Sequence, residues 1–303
     1  MCIRDSLSTG SIERPIVFGN NDTPGIFLSA AAKEYMKVYG VLVGKKPIIF
    51  TNNDSAYETA LEFKKNNVEP IILDTREEHS SELIDEAKSK GIDIRFSHGV
   101  IVANGYKKVK SAKIGKLNKD KNSFEKIETI DCDCICVSGF WTPSVHLASQ
   151  SGNKLKYEEK IDAFIPDKKK QHETSVGAAN GSFTLEESLK HGFENGSNLS
   201  AKITDTKTEI AIPNVNEKKY GAHDKFWCMP LPKNENPKRF VDFQNDVSVS
   251  DIEIALREGY RSIEHVKRYT TLGMATDQGR TSNLNGLQSV SYTHLTLPTK
   301  RIV

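Results

Sequence analysis

The stretch from Pro47 to Asp74 constrains the fold more than any other. Pro47-Ile48-Ile49-Phe50-Thr51 is a short apolar run closed by the turn residues Asn52-Asn53-Asp54-Ser55. Ala56, Tyr57, Ala60, Leu61 and Phe63 then recur at mixed i+3 and i+4 spacing, the pattern of a helix with one apolar face. Asp54 or Ser55 can cap that helix by accepting one of its free N–H groups. Pro70-Ile71-Ile72-Leu73 is a second buried run, and it ends in Asp74.

Strand, turn, helix, strand and terminal acid form the outline of a Rossmann half. The acid stands roughly 20 residues after the turn, where a carboxylate would bind a ribose hydroxyl. The turn itself departs from the pattern. A dinucleotide site uses G-x-G-x-x-G so that backbone can approach a pyrophosphate. Asn52, Asn53 and Asp54 fill that space with side chains, and Asp54 repels an anion. The reading against a dinucleotide here is a βαβ unit whose turn serves packing.

The rest of the chain extends this α/β pattern. A helix over Ser81–Lys90 turns Leu83, Ile84 and Ala87 inward and stops at Gly91. Val100-Ile101-Val102-Ala103 runs into Asn104-Gly105, a two-residue hairpin signal, with the partner strand from about Tyr106. Asn118–Asn122 marks another turn, and a strand from Phe124 to Ile130 completes a meander. Cys132–Val137 is a last buried strand, ending at Ser138-Gly139, with Cys132, Cys134 and Cys136 as small apolar residues on one face. Thr9-Gly10 reads as the end of an earlier strand, and Asp162–Ile165 as a short one. Gly177-Ala178-Ala179-Asn180-Gly181 precedes a helix from Thr184 to Glu194, and a helix start with glycines suits a pyrophosphate. From about Asn195 to Arg239 the chain is polar and punctuated by prolines, a surface linker anchored by Phe226-Trp227. Ser248–Asp251 has capping-box spacing before a helix that Gly259 stops, and a further helix covers Ser262–Tyr269.

Composition narrows the function classes. Lys+Arg number 42 against 40 Asp+Glu, a balance that argues against a nucleic-acid partner. No apolar run nears the ~18 residues that span a bilayer. The thiols lack C-x-x-C spacing and fit a reducing cytoplasm. His79, His98, His172, His191 and His223 show no metal-ligand spacing, and the expected metal content is none. His146 reads as a packing or capping residue, and no Ser-His-Asp signature or catalytic carboxylate pair stands out.

Several stretches carry a family resemblance. They are Glu13-Arg14-Pro15, Asn21–Gly25, Thr51–Tyr57, Pro143–Leu147, Val241–Val247, and Glu264–Thr271 running on through Gly273–Gly279. Across about Ser8 to Leu287 the chain resembles the alpha subunit of heterotetrameric sarcosine oxidase. The resemblance implies an α/β, two-dinucleotide-binding-domain flavoprotein fold, of FAD/NAD(P)-binding type and partial. A small helical domain resembling a cluster-less, BFD-like 2Fe–2S domain follows. Residues 8–44 and 140–200 are then a partial first dinucleotide domain, and 45–139 an inserted NAD(P)-type domain. Residues 201–239 are the linker and 240–289 the helical domain. Met1–Leu7 and residues 290–303 resemble translated adapter sequence and are expected to be foreign.

The resemblance further implies oxidative demethylation of sarcosine by a complex with beta, gamma and delta subunits. FAD sits in the beta subunit, FMN at the alpha–beta interface, and tetrahydrofolate in a C-terminal alpha domain beyond this stretch. The alpha subunit holds NAD without using it in turnover. Ala178 stands where relatives carry the Asp that holds an FAD ribitol, so FAD is disfavoured here and NAD retained. The candidate NAD residues are Thr9, Gly10, Gly177, Ala178, Ala179 and Gly181. The four cluster-cysteine positions hold Asp242, Gln244, Asp277 and Ser282, so no Fe–S cluster is expected. Arg268, Thr270, Thr271, Gln278 and Gly279 are the candidate FMN cradle, since cations and hydroxyls suit a phosphate. The alternatives are a subunit of a related opine or amino-acid oxidase, or a non-catalytic nucleotide-fold scaffold.

Overall fold

A computed structural model describes residues 4–204, 211–218 and 220–291. The remaining positions of the two expected foreign ends, 1–3 and 292–303, lie outside the described residues. Two compact units form: one from residues up to Ile12 with Trp141–Lys219, the other from Glu13–Phe140 with Tyr220 onward.

The larger unit is built on a parallel five-stranded sheet. Its strands, in spatial order, are Ile26–Leu28, Cys134–Ser138, Pro47–Thr51, Ile71–Asp74 and Asp93–Phe96. Both faces are covered, as an all-parallel sheet requires. Alternate side chains divide between the faces. Ile48, Phe50, Leu73, Ile135 and Val137 join a core with the antiparallel meander of His98–Gly105, Val109–Leu117 and Phe124–Asp131. Ile49, Ile72, Cys134 and Cys136 join a second core with the helices Ser29–Lys37, Tyr57–Lys65 and Glu82–Ser89. Ile26–Leu28 lies at one edge of this sheet, so residues from Glu13 onward pack with the inserted domain. The sequence had placed 13–44 with 140–200.

Local expectations change in four places. Asn53, not Asp54 or Ser55, caps the turn: its side chain accepts from Ser55 N at 3.0 Å. The hairpin closes through Tyr106–Lys108 with Gly105 opposite Val109, because Asn104 remains in the ladder opposite Ser111. Cys132 precedes its strand and packs in the meander-side core, opposite Cys134 and Cys136. Residues 195–204 continue a helix, Leu185–Thr204, because no proline interrupts that stretch.

The polar segment from Tyr220 onward enters the core of the larger unit. Val17 N donates to Trp227 O and Met229 N to Val17 O, each at 2.8 Å, and Phe226 and Met229 are buried. Phe240–Asp242 and Val247–Ser248 then pair, followed by the helices Val249–Arg257, Ile263–Thr270 and Asn283–Ser291. The first of these has its capping box: Ser248 N donates to Asp251 Oδ2 at 2.8 Å.

In the smaller unit Asp5–Leu7, expected from the sequence to be foreign, instead pairs in parallel with Glu173–Ser175 as a strand of the unit, and Leu155–Glu158 pairs antiparallel with Ala163–Pro166. Glu217 Oε2 accepts from Leu185 N at 2.7 Å, placing a carboxylate at the positive end of the long helix.

Candidate functional site

Open α/β sheets take ligands outside the carboxyl ends of their strands. Among the described residues two such edges stand out, one in each unit, and their chemistry differs.

In the smaller unit the parallel strands Asp5–Leu7 and Glu173–Ser175 end side by side. Val176 N donates to Leu7 O at 2.9 Å. Thr9-Gly10 leaves the first strand and Gly177–Gly181 leaves the second, so the six candidate NAD residues gather at one strand edge. Thr9 Oγ1 donates to Ser144 O at 2.7 Å, and Ser144 N to Gly10 O at 2.9 Å, which fixes the first loop. Gly10 has φ +73, and a Cβ built there meets nothing within 4 Å. Its backbone is therefore open to a close-approaching group. Gly177–Asn180 is a single 3₁₀ turn, begun at φ +62 and ended at φ +86 on Gly181.

At the five-stranded sheet the corresponding turn is filled. Asn53 Nδ2 donates to Ser138 Oγ at 3.1 Å and to Asn52 Oδ1 at 3.0 Å. Asp74 is fully buried, and four donor contacts saturate it. Tyr57 Oη reaches Oδ2 at 2.8 Å, Arg76 Nη2 reaches Oδ2 at 2.7 Å, and Arg76 N and Nε reach Oδ1 at 2.9 and 3.0 Å. The ribose role foreseen for Asp74 is thus closed: its lone pairs face Tyr57 and Arg76. Asp54 is also buried, with Oδ1 2.8 Å from Arg76 Nη2. Burial alone would raise the Asp54 carboxyl, but Arg76, the Gly221 N–H and Ser81 outweigh it and hold the group below its ordinary value.

Glu13 lies in the same unit. Its Oε2 accepts from Ala30 N at 2.8 Å, at the start of the Ser29–Lys37 helix. Burial lifts its carboxyl to about 7, against the opposing hydrogen bonds from Ser138 and Ala30 and the charge of Lys33. Glu13 also lines a cavity of about 380 Å³, walled by Phe18, Ile26, Phe27, Val241 and Phe243. Sequence reasoning gave Glu13 no chemical role, and its place in a resembling stretch was the available signal.

The five candidate FMN residues lie on the Ile263–Thr270 helix end and the turn after it. Gly273 and Gly279 approach so closely that a Cβ on Gly273 would sit 3.0 Å from Gly279 Cα, which brings Thr270–Thr271 near Gln278–Gly279. Thr270 Oγ1 donates to Val266 O at 2.7 Å, and Gln278 Nε2 to Ala275 O at 2.9 Å, so both are engaged locally. Arg268 is exposed. Gly279 has φ +75, and a Cβ there would meet the Asn283 amide at 2.2 Å, a packing reason for glycine. The adjacent cavity of about 400 Å³ is lined by Asp246 and Asp251 beside Thr270, a wall that disfavours a phosphate. Of the four cysteine-equivalent positions, Asp242 and Ser282 are joined: Ser282 Oγ lies 3.3 Å from Asp242 Oδ2. Asp277 instead accepts within its own turn, from Gly279 N and Thr281 N at 3.0 Å each.

Among the described residues no group of three or more His, Cys, Asp or Glu could hold a metal ion, and no helix is long and apolar enough to cross a membrane.

Comparison with solved structures places this architecture. L-proline dehydrogenase from P. horikoshii aligns with a TM-score of 0.60 at 19% identity, over 99% of this chain and 57% of that one. Thioredoxin reductase from T. acidophilum aligns with a TM-score of 0.54 at 14% identity, over 66% of this chain and 65% of that one. The fold resembles that of FAD/NAD(P)-binding oxidoreductases.

Within that class the sequence is more specific. Residues 236–299 match the sarcosine oxidase A3 domain. Sarcosine oxidase subunit alpha of Rhizobium meliloti (strain 1021) is 34% identical over 286 residues, covering 93% of this chain and 27% of that protein. The same subunit of Corynebacterium sp. (strain P-1) is 32% identical over 286 residues, covering 92% and 29%. By sequence the chain is similar to sarcosine oxidase alpha subunits, and it spans between a quarter and a third of the length of these relatives.

Proposed function

We propose that these residues serve as the nucleotide-binding and flavin-interface portion of the alpha subunit of a cytoplasmic, heterotetrameric sarcosine oxidase. The observation that carries this reading is the 34% identity over 93% of the chain, joined to the A3-domain match at 236–299. The reaction is sarcosine, oxygen and tetrahydrofolate giving glycine, hydrogen peroxide and 5,10-methylenetetrahydrofolate. In this reading the beta subunit holds FAD, an FMN lies between alpha and beta, and the gamma and delta subunits complete the assembly.

NAD is assigned to the edge formed by Thr9, Gly10, Gly177, Ala178, Ala179 and Gly181. What supports the fit is the open backbone at Gly10 and the shared carboxyl edge of two parallel strands. There NAD would act as a bound structural group, and this chain's part is to bind and orient it. For FMN, Arg268 is the exposed cation of its group, with Thr270, Thr271, Gln278 and Gly279 shaping the turn beside it. The acidic cavity at Asp246 and Asp251 is not the phosphate site in this reading. The 2Fe–2S cluster of related domains is assigned no place here, because Asp242 and Ser282 offer oxygens rather than thiolates.

Calorimetric titration of the complete alpha subunit with NAD tests the nucleotide role, and absence of measurable heat removes it. Turnover assays of the assembled complex separate the enzyme classes. Peroxide release with sarcosine supports the reading, while release only with an opine or an amino acid moves the chain to a related oxidase.

A further inference from the structure

The fold class implies a second dinucleotide crevice, at the carboxyl ends of the five-stranded sheet. The groups that would serve it are turned elsewhere, and Asn52, Asp54 and Arg76 are engaged by a single stretch of the same chain. Gly221 N donates to Asp54 Oδ2 at 2.7 Å. Arg76 Nη1 donates to Ala222 O at 2.9 Å. Asn52 Nδ2 donates to Asp224 O at 2.8 Å, and Asp224 N returns a bond to Asn52 O at 3.0 Å. Lys121 forms an ion pair with Asp224. Tyr220 Oη donates to Glu58 at 2.7 Å, and the His223 ring stacks on Phe140 with centroids 3.9 Å apart.

We infer that this crevice accepts neither NAD nor NADP because residues 220–226 form a strap that occupies it. Two independent features carry the inference. First, both ligand-reading groups of such a domain are consumed. An acid after the second strand reads a ribose hydroxyl and a nearby arginine reads a 2′-phosphate. Here Asp74 and Arg76 bind one another, and Arg76 also holds Asp54 and the strap. Second, the Asp54 carboxylate stands at the phosphate turn and takes a backbone N–H from the strap. A buried carboxylate at that place repels a pyrophosphate through both charge and volume. The strap continues directly into Phe226 and Met229 of the meander-side core, which anchors it. The inference is independent of where NAD binds in the smaller unit.

Hydrogen exchange read by mass spectrometry on the complete subunit in its assembled enzyme tests it, with NAD and NADP each added at millimolar concentration. The expected result is slow exchange of peptides spanning 52–57 and 220–226, unchanged by either nucleotide. In Gly221→Pro, which lacks the donor to Asp54, both peptides should exchange at least tenfold faster while 109–117 keeps its wild-type rate. Nucleotide-dependent slowing at 52–57 or 74–76 would overturn the inference, as would strap exchange within seconds in the wild type. The wild-type arms decide the matter even where the variant misfolds. A response confined to 173–182 supports both the closed crevice and the NAD assignment. If no peptide responds, the NAD assignment falls, while slow strap exchange still upholds the closed crevice.

Discussion

The two strand edges differ in what satisfies their backbone and charged groups. At the five-stranded sheet, Asn52, Asn53, Asp54, Asp74 and Arg76 form a buried polar network with residues 220–226. At the edge of the smaller unit, Gly10 stands open and Gly177–Gly181 presents a short turn without such a network. One turn is thus satisfied from within, while the other stands beside the open backbone of Gly10. Topology supplies the position of a crevice, and side chains decide whether it stays a crevice.

The sharpest way to break this contrast is Arg76→Ala. It leaves Asp54 and Asp74 buried without their common cation, and removing one partner of a buried pair costs about 3–5 kcal/mol. Urea unfolding should register that loss. A loss below about 1 kcal/mol, the scale of an exposed pair, would mean the crevice is wet and open.

Next in size is a pH effect in the same unit. The Glu13 carboxyl is raised in the fold to about 7, so its protonated form is the one the fold favours. Its contribution is fully present below the unfolded value near 4.5 and is lost as pH rises through about 7. That loss is on the order of 3 kcal/mol. His223 has the opposite sign. Burial, then Arg14, Lys225 and Arg76, push its imidazole down to about 4, so its contribution is present above 6.5 and lost as pH falls towards 4. Between pH 5 and 6.5 the two slopes therefore oppose one another in the wild type. In unfolding curves Glu13→Gln should leave the His223 slope alone, with stability rising from pH 5 to 6.5, and a curve of unchanged shape would remove Glu13 as a source.

Two glycine substitutions extend the comparison at smaller scale. Gly279→Ala drives a Cβ into the Asn283 amide and should cost roughly 1–3 kcal/mol. Gly10→Ala meets nothing and carries only the left-handed backbone cost, about 1–2 kcal/mol. Thermal shifts should rank them in that order, while only Gly10→Ala weakens NAD. Ser81→Ala removes a hydroxyl that accepts from Ile84 N at 3.4 Å and that also supports the buried Asp54. The lost cap contributes about 0.5–1 kcal/mol of the expected cost.

Much of this fold was legible because its signals are local. The strands at 47–51 and 71–74, the helix capped by Ser81 and the capping box at Ser248 are all set by neighbours within a few residues. The gathering of Thr9-Gly10 with Gly177–Gly181 was suggested by fold resemblance, and the parallel strands bring it about. The closed crevice was only half legible. The side chains at Asn52–Asp54 argued against a phosphate, but the strap is remote: Gly221 and Asp54 are 167 positions apart. A polar, proline-rich stretch reads as linker by composition, and its burial depends on long-range hydrogen bonds that leave no periodicity. Asp74 misled for a similar reason. Its spacing fits a ribose acid, while the deciding partner, Arg76, lies two positions on with no pattern to mark it. Cys132 and the Asn104-Gly105 turn slipped by a residue or more because strand ends are set by pairing register, which a single strand does not encode.

The central claim is that NAD uses the glycine-bearing edge and leaves the filled one alone. Calorimetric titration of the complete subunit with NAD, comparing wild type, Gly177→Val and Asp54→Asn, tests it most directly. The account predicts a single site, an at least tenfold weaker affinity in Gly177→Val, and an unaltered affinity in Asp54→Asn. Unchanged binding in Gly177→Val with binding gained or lost in Asp54→Asn would contradict it.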